Sequence, residues 1–221
     1  MKLTIIAATG GIGRLILEQA AAAGHEVTAV VRNPSRLSLD VPAVTVDMAA
    51  PDPDALRSAV TGADAVLSGL GAHRRSEACV ASRGTQAIAV AMRAAGSRRL
   101  VVVSAAPVGT VASPARPHPP KHDPGDGPLM RYVMGPAVKA ALGWVYTDLA
   151  LMEDAVRESG LEWTVVRPPR LTSGPLTGRY RTAYGQNLPR GTSVSRADVA
   201  NLMLRLAEDP AAIGQVVGVA M

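Results

Sequence analysis

Apolar residues fall into two patterns along this chain. Runs at Leu3 to Ala8, Val27 to Val31, Ala43 to Val46, Ala65 to Leu67, Leu100 to Ser104 and Trp163 to Val166 are mostly continuous rather than alternating, as in strands buried on both faces. Between them, apolar residues recur at helical spacing. Ile12, Leu15, Ile16, Ala20 and Ala23 share one face, as do Val80, Ile88, Ala91, Met92 and Ala95, and Gly24 and Gly96 stand where helix C-caps belong. Met152 and Val156 mark a later helix stopped by Gly160. Ser195 with Asp198 opens another, which carries Val199, Leu202, Met203 and Leu206, and Gln215 to Ala220 reads as a closing strand.

Strand and helix alternate with short connections. This predicts an α/β, Rossmann-like doubly wound fold: a mainly parallel sheet with right-handed crossovers and helices on both faces. One domain over residues 1–221 is expected. The Pro- and Gly-rich stretch from Ala106 to Pro128 has no periodic face and predicts a loop or lid leaving the fifth strand, where an open parallel sheet places its ligand. Residues 129–195 then supply the substrate side of the same domain.

Composition narrows the picture modestly. With 48% hydrophobic and 19% charged residues the chain is globular in type. The net charge of +5 comes mostly from arginine, with no basic run and no interleaved aromatics, so an anionic small ligand is expected rather than nucleic acid. The apolar stretches are interrupted by Gly and Pro before reaching membrane-spanning length. Cys79, the only cysteine, allows neither an internal disulfide nor a cysteine-based zinc site, consistent with a reducing, cytoplasmic setting. His118 and His122 have helical metal-ligand spacing, but Pro119 and Pro120 between them forbid the helix, and no metal is expected.

The candidate chemistry begins at "AATGGIG", Ala7 to Gly13, between the first strand and the first helix. Glycines there serve a tight turn, the approach of backbone amides to a pyrophosphate, and close packing of helix on strand. Gly10 and Gly13 keep the last two duties, while alanine occupies both places open to the first glycine, residues 7 and 8. Alanine suits the turn provided that its dihedrals are ordinary. The second strand ends at "VVRNPSRL", where a dinucleotide fold reads the adenosine ribose. The residue there is Arg32, not an acid. A guanidinium grips a 2′-phosphate with paired donors, which predicts NADP(H) over NAD(H), with Arg36 closing from the other side and Asn33 and Ser35 as lesser donors.

With "ATGGIG", "HEVTAVVRNPSRL", "DAVLSGLG", "VVVSA", "RESGLEWTVVRPPRL", "GPLTGRY" and "SRADVANLML" in order, the chain resembles the NAD(P)H-binding NmrA-like branch of the atypical short-chain dehydrogenase/reductase superfamily, in particular its biliverdin-IXβ reductase/flavin reductase type. The resemblance runs nearly end to end and is least around Ala106 to Trp144. It implies that Thr9, Gly10, Gly11, Ile12 and Gly13 hold the pyrophosphate, and Arg32 and Arg36 the 2′-phosphate. By the same resemblance Asp47 and Met48 lie by the adenine, and Gly69, Leu70 and Gly71 line the path to the nicotinamide. Ser104, Ala105, Pro168 and Pro169 lie near the nicotinamide and substrate, with Ser104 the candidate catalytic hydroxyl. Two departures stand out: the first loop glycine is missing, and alanine occupies position 105 where the flavin reductases carry serine.

The tyrosine and lysine spaced four apart that serve short-chain dehydrogenases are absent: Tyr132 leads to Pro136, Tyr146 to Ala150, Tyr180 to Tyr184 and Tyr184 to Leu188. Without that proton relay, alcohol and ketone interconversion is disfavoured. Hydride transfer to a flavin, quinone or similar conjugated acceptor fits better, with the flavin as substrate, because the protein then chiefly stacks the acceptor over the nicotinamide. The alternatives are an NmrA-like redox sensor that binds NADP(H) without turnover and docks a protein partner, and a biosynthetic ketoreductase or epimerase. Tyr132, Trp144 and Tyr146 follow the irregular loop and are candidates to wall a flat acceptor, whereas Trp163 is expected in the core.

Overall fold

The computed structural model describes residues 1–72, 74–127 and 135–221, with the side chains of 135–141 set aside. Six strands begin the fold: β1 (Lys2–Ile6), β2 (Glu26–Val31), β3 (Ala43–Thr45), β4 (Ala65–Ser68), β5 (Arg99–Val103) and β6 (Glu162–Arg167). Between them lie α1 (Gly13–Ala22), α2 (Pro53–Val60), α3 (Val80–Ala95) and α4 (Gly135–Glu158), with β2 and β3 joined by a short 3₁₀ turn instead of a helix. Then follow β7 (Arg170–Thr172), β8 (Arg181–Tyr184), β9 (Ser193–Ser195), α5 (Arg196–Glu208) and β10 (Gln215–Ala220).

The main sheet has the order β3-β2-β1-β4-β5-β6-β10-β8, parallel except where β8 runs against β10. Strand order reverses between β1 and β4, which creates a crevice beyond their carboxyl ends. The continuous apolar runs are divided by the pleat. Leu3, Ile5, Ala29, Leu67, Val101 and Val166 face a core closed by α1 and α5, whereas Ile6, Val30, Val66, Leu100, Val102 and Val165 face a second core under α2, α3 and α4. Every residue of β4 and β5 is buried, so polar alternation there would place polar groups in one core or the other.

Helix ends follow the expected punctuation. Gly24, Gly96 and Gly160 have positive φ after α1, α3 and α4, and Ser195 caps α5 by accepting the Asp198 amide at 2.9 Å. α2 was not expected from the apolar periodicity; it is started by Asp52, which accepts the Asp54 and Ala55 amides, and by Pro53 in the first turn. Neither were β7, β8 and β9 expected. β7 and β9 pair with each other outside the main sheet.

The proline-rich segment after β5 is more ordered than a free lid. Ala106–Thr110 forms a short 3₁₀ helix with Val108 fully buried. Asp154 of α4 accepts from Ser113 Oγ at 3.0 Å and from the Ala115 amide at 3.1 Å. Asp123 accepts from the Gly125 and Asn187 amides, tying the segment to the loop beyond β8. No helix among the described residues is long and apolar enough to cross a membrane.

Candidate functional site

The turn from β1 into α1 lies at the crevice. Gly10 donates its amide to the Ala7 carbonyl at 2.8 Å, closing a tight turn that places Ala7 at φ 58°. The condition of ordinary dihedrals is not met at position 7, which is left-handed, and alanine adopts it at a steric cost of about 1–2 kcal/mol. Gly13 packs so tightly that a Cβ there would stand 2.2 Å from the Ala7 carbonyl oxygen. From the β4 side, a Cβ on Gly69 would meet the Gly13 nitrogen at 2.8 Å. These contacts explain the glycines, because any side chain at position 13 or 69 would force the turn open.

The amides of Gly11 and Ile12 donate to no other described group, and that of Gly13, in the first turn of α1, is free by helix geometry. A row of unspent donors at a helix N-terminus suits a doubly charged bridge. The residues thus fit a dinucleotide pyrophosphate.

At the end of β2, the Arg32 side chain is 63% exposed, with Nη2 3.4 Å from Glu77 Oε1. Such an exposed pair is weak and leaves the guanidinium available. Asn33 caps the next turn, its Oδ1 accepting the Ser35 amide at 3.0 Å and the Ser35 hydroxyl at 2.8 Å, so the Ser35 hydroxyl is engaged within the turn. Arg36 ends that turn. Asp47 accepts the Ala49 amide at 3.1 Å, and Met48 is buried. Gly84 of α3, which the sequence reading passed over, makes room for this region: a Cβ there would lie 2.6 Å from the Leu70 side chain and 3.2 Å from that of Met48. A Cβ on Gly71 would meet nothing within 4 Å.

Beyond β5, the candidate catalytic hydroxyl of Ser104 is buried and donates to Glu153 Oε1 at 2.7 Å. Glu153, 0% exposed, also accepts from Arg167 Nε at 2.8 Å and Nη2 at 2.5 Å, and pairs with Arg157 at 2.7 Å. Burial pushes this carboxyl up, but hydrogen bonds and charge from Arg167, the Ser104 hydroxyl and the Arg157 charge outweigh it and hold the group below its usual range. Ser104 is thus engaged by a structural carboxylate, an arrangement that suits positioning of the β5 end rather than proton donation. The Pro168 carbonyl accepts the Ala106 amide at 2.9 Å, and Pro169 directly precedes β7.

Among the candidate aromatics, Tyr132 lies outside the described residues. Tyr146 is 8% exposed and belongs to the second core, with burial pushing its hydroxyl pKa up; it is a packing residue here, not an exposed wall. Trp144 is half-buried on α4. Trp163 is half-buried rather than fully in the core, with the Arg157 guanidinium 5.9 Å from its ring centroid. The loop between β7 and β8 is fixed by Asp198 of α5, which accepts the Thr177 and Gly178 amides at 2.8 and 2.9 Å. Burial raises the Asp198 pKa, but these bonds and those from the Ser195 and Thr177 hydroxyls hold it below the usual range. No group of three His, Cys, Asp or Glu among the described residues is arranged to hold a metal.

A parallel sheet with free loop amides at its switch point and a cation after its second strand defines a dinucleotide-binding protein. The chain belongs to the NAD(P)H-binding family, whose model matches residues 7–210. It is 34% identical over 195 residues to the 3-diazoavenalumate denitrifying reductase of a Streptomyces species, a match covering 82% of this chain and 59% of that protein's length. Among solved structures, the anaerobilin reductase ChuY of Escherichia coli O157:H7 superposes with a TM-score of 0.76 at 24% identity, covering 100% of this chain and 97% of ChuY. A Streptococcus pneumoniae TIGR4 protein provisionally named an NADH-flavin reductase gives 0.74 at 25%, covering 100% and 99%.

Proposed function

We propose that this protein is an NADPH-dependent reductase that passes hydride to a flavin, quinone or similar conjugated acceptor. The observation that carries the coenzyme assignment is the placement of an exposed, weakly paired Arg32 at the end of β2, in the crevice that begins at the Gly10–Gly13 turn. A carboxylate there would repel a 2′-phosphate; a guanidinium binds it. The nicotinamide supplies the hydride when bound. The chain's own part is to hold the pyrophosphate on the free amides of Gly11, Ile12 and Gly13, and to fix the ends of β4 and β5 beside the reacting ring.

The similarity to proteins named as reductases supports the reaction class. The acceptor class rests on side chains. Tyr180 donates its hydroxyl to Asn201 at 2.8 Å, Tyr146 is buried, and Ser104 is bound to Glu153. Neither Tyr180 nor Ser104 stands as a free proton donor, which favours an acceptor that takes its proton from water.

The test is to mix purified protein with NADPH or NADH and a panel of flavins, quinones and tetrapyrroles, and to follow loss of reduced-nicotinamide absorbance. Turnover with NADPH is expected. Arg32→Ala should weaken NADPH binding about 10- to 100-fold, the value of one or two charge-assisted hydrogen bonds, and leave NADH nearly unchanged. Equal loss for both coenzymes would refute the role of Arg32, and tight binding with no turnover on any acceptor would favour a sensor.

A further inference from the structure

Arg196 opens α5 and reaches the glycine turn from the side opposite the adenosine-reading strand. A Cβ on Gly11 would lie 3.1 Å from Arg196 Nε and 3.2 Å from its Cδ, so the arginine side chain lies across the Gly11 peptide. The side chain is half-buried, and its hydrogen bond to Ser173 Oγ is long, at 3.5 Å. No carboxylate among the described residues pairs with it.

This placement is electrostatically unfavourable for an empty protein. A cation in the first turn of a helix sits at the wrong end of the macrodipole. Asp198, the acidic residue of the same turn, makes no ion pair with Arg196 and accepts instead from the Thr177 and Gly178 amides. Between Glu162 and Asp198 the chain carries Arg167, Arg170, Arg179, Arg181, Arg190 and Arg196 and no acidic residue, and Glu153 is already committed to Arg167 and Arg157. An arginine held over a glycine, with its charge unanswered and free amides beside it, is arranged for an anion.

We infer that Arg196 is a second coenzyme anchor, independent of the 2′-phosphate: its guanidinium holds the pyrophosphate from the α5 side while the turn amides hold it from the α1 side. This rests on the reading of the Gly10–Gly13 turn as the coenzyme site. Gly11 then has a role apart from chain reversal. It lets the arginine stem come within contact of the loop backbone, and a side chain at position 11 would displace it. Because the Arg196 charge meets the phosphates shared by NADPH and NADH, its contribution adds to affinity without selecting between them. Selection belongs to Arg32, on the other side of the crevice.

The experiment measures binding to the wild type, Arg196→Ala, Arg196→Lys and Arg32→Ala by calorimetry, with four ligands: NADPH, NADH, ADP-ribose and adenosine 2′-monophosphate. ADP-ribose carries the pyrophosphate without nicotinamide or 2′-phosphate; the monophosphate carries only the 2′-phosphate. Arg196→Ala is expected to weaken NADPH, NADH and ADP-ribose by a common factor of tenfold or more and to leave the monophosphate unchanged. Arg196→Lys should recover part of that loss, and the salt dependence of ADP-ribose binding should be shallower in Arg196→Ala than in the wild type. Arg32→Ala should give the reciprocal pattern. Wild-type-like binding of ADP-ribose by Arg196→Ala overturns the inference, as does an equal loss for the monophosphate, which would mark a distorted site. A wild type that binds none of the four ligands overturns the coenzyme reading itself, and the inference with it.

Discussion

Position 7 needs a positive φ, and alanine meets that need only because the turn is held from several sides: its carbonyl accepts the Gly10 amide, and the Gly13 backbone lies against it. Replacing Ala7 by glycine removes the left-handed penalty and adds some unfolded-state freedom, for a net gain of about 0.5–1 kcal/mol. Thermal unfolding of Ala7→Gly should therefore show a midpoint about 1–4 °C higher; an unchanged or lower midpoint would show the turn to be unstrained. Gly13→Ala should do the opposite and abolish coenzyme binding, since its methyl would meet a backbone carbonyl rather than a side chain able to move. The sequence showed where the loop was and which glycines mattered. It could not show which alanine carried the strain, because φ is set by how β1, β4 and α1 meet.

α3 illustrates the limits of local reading at the scale of elements. Its apolar face and its Gly96 stop follow from spacing, but the residue at its start, Cys79, is left-handed and offers no side-chain cap. The cap comes from α4: Asp148 accepts the Ala81 and Ser82 amides, each at 3.0 Å, and the Ser82 hydroxyl. Asp148→Ala leaves those buried donors unpaired and should cost about 1–3 kcal/mol, read as a lower midpoint in urea with an unchanged slope. Full stability in that variant would mean that water replaces the carboxylate. The C-terminal end of α5 is served in the same way by Arg99 of β5, which donates to the Ala207 and Leu206 carbonyls. Partners this distant in sequence have no local signature, and three-residue strands such as β7 and β9 offer no period to detect.

Across the whole molecule, the buried Glu153 joins β5, β6 and α4 through Ser104, Arg167 and Arg157. Asp198 joins α5 to the loop between β7 and β8. Both carboxyls are held below their usual range. Their contribution to stability is thus fully present above the unfolded carboxylate values, about 3.9–4.3, and is lost as pH falls through the lower folded values. Stability measured by denaturant from neutral pH downward should decline below about pH 4.3. Glu153→Gln should begin about 3–5 kcal/mol lower, because Arg167 loses its buried counter-charge, and should show a shallower acid decline. A parallel acid limb in the two proteins would exclude Glu153 from it.

The six parallel strands that begin the sheet, its two-sided burial, the glycine turn and the cation after β2 were determined by sequence alone, since each depends on residues adjacent in the chain or spaced by one element's period. Tertiary structure alone decided which hydroxyls are free, which helix caps another, where Tyr146 packs and that Arg196 lies over Gly11. Those outcomes depend on side chains brought together from distant segments, and a one-dimensional pattern does not contain that distance.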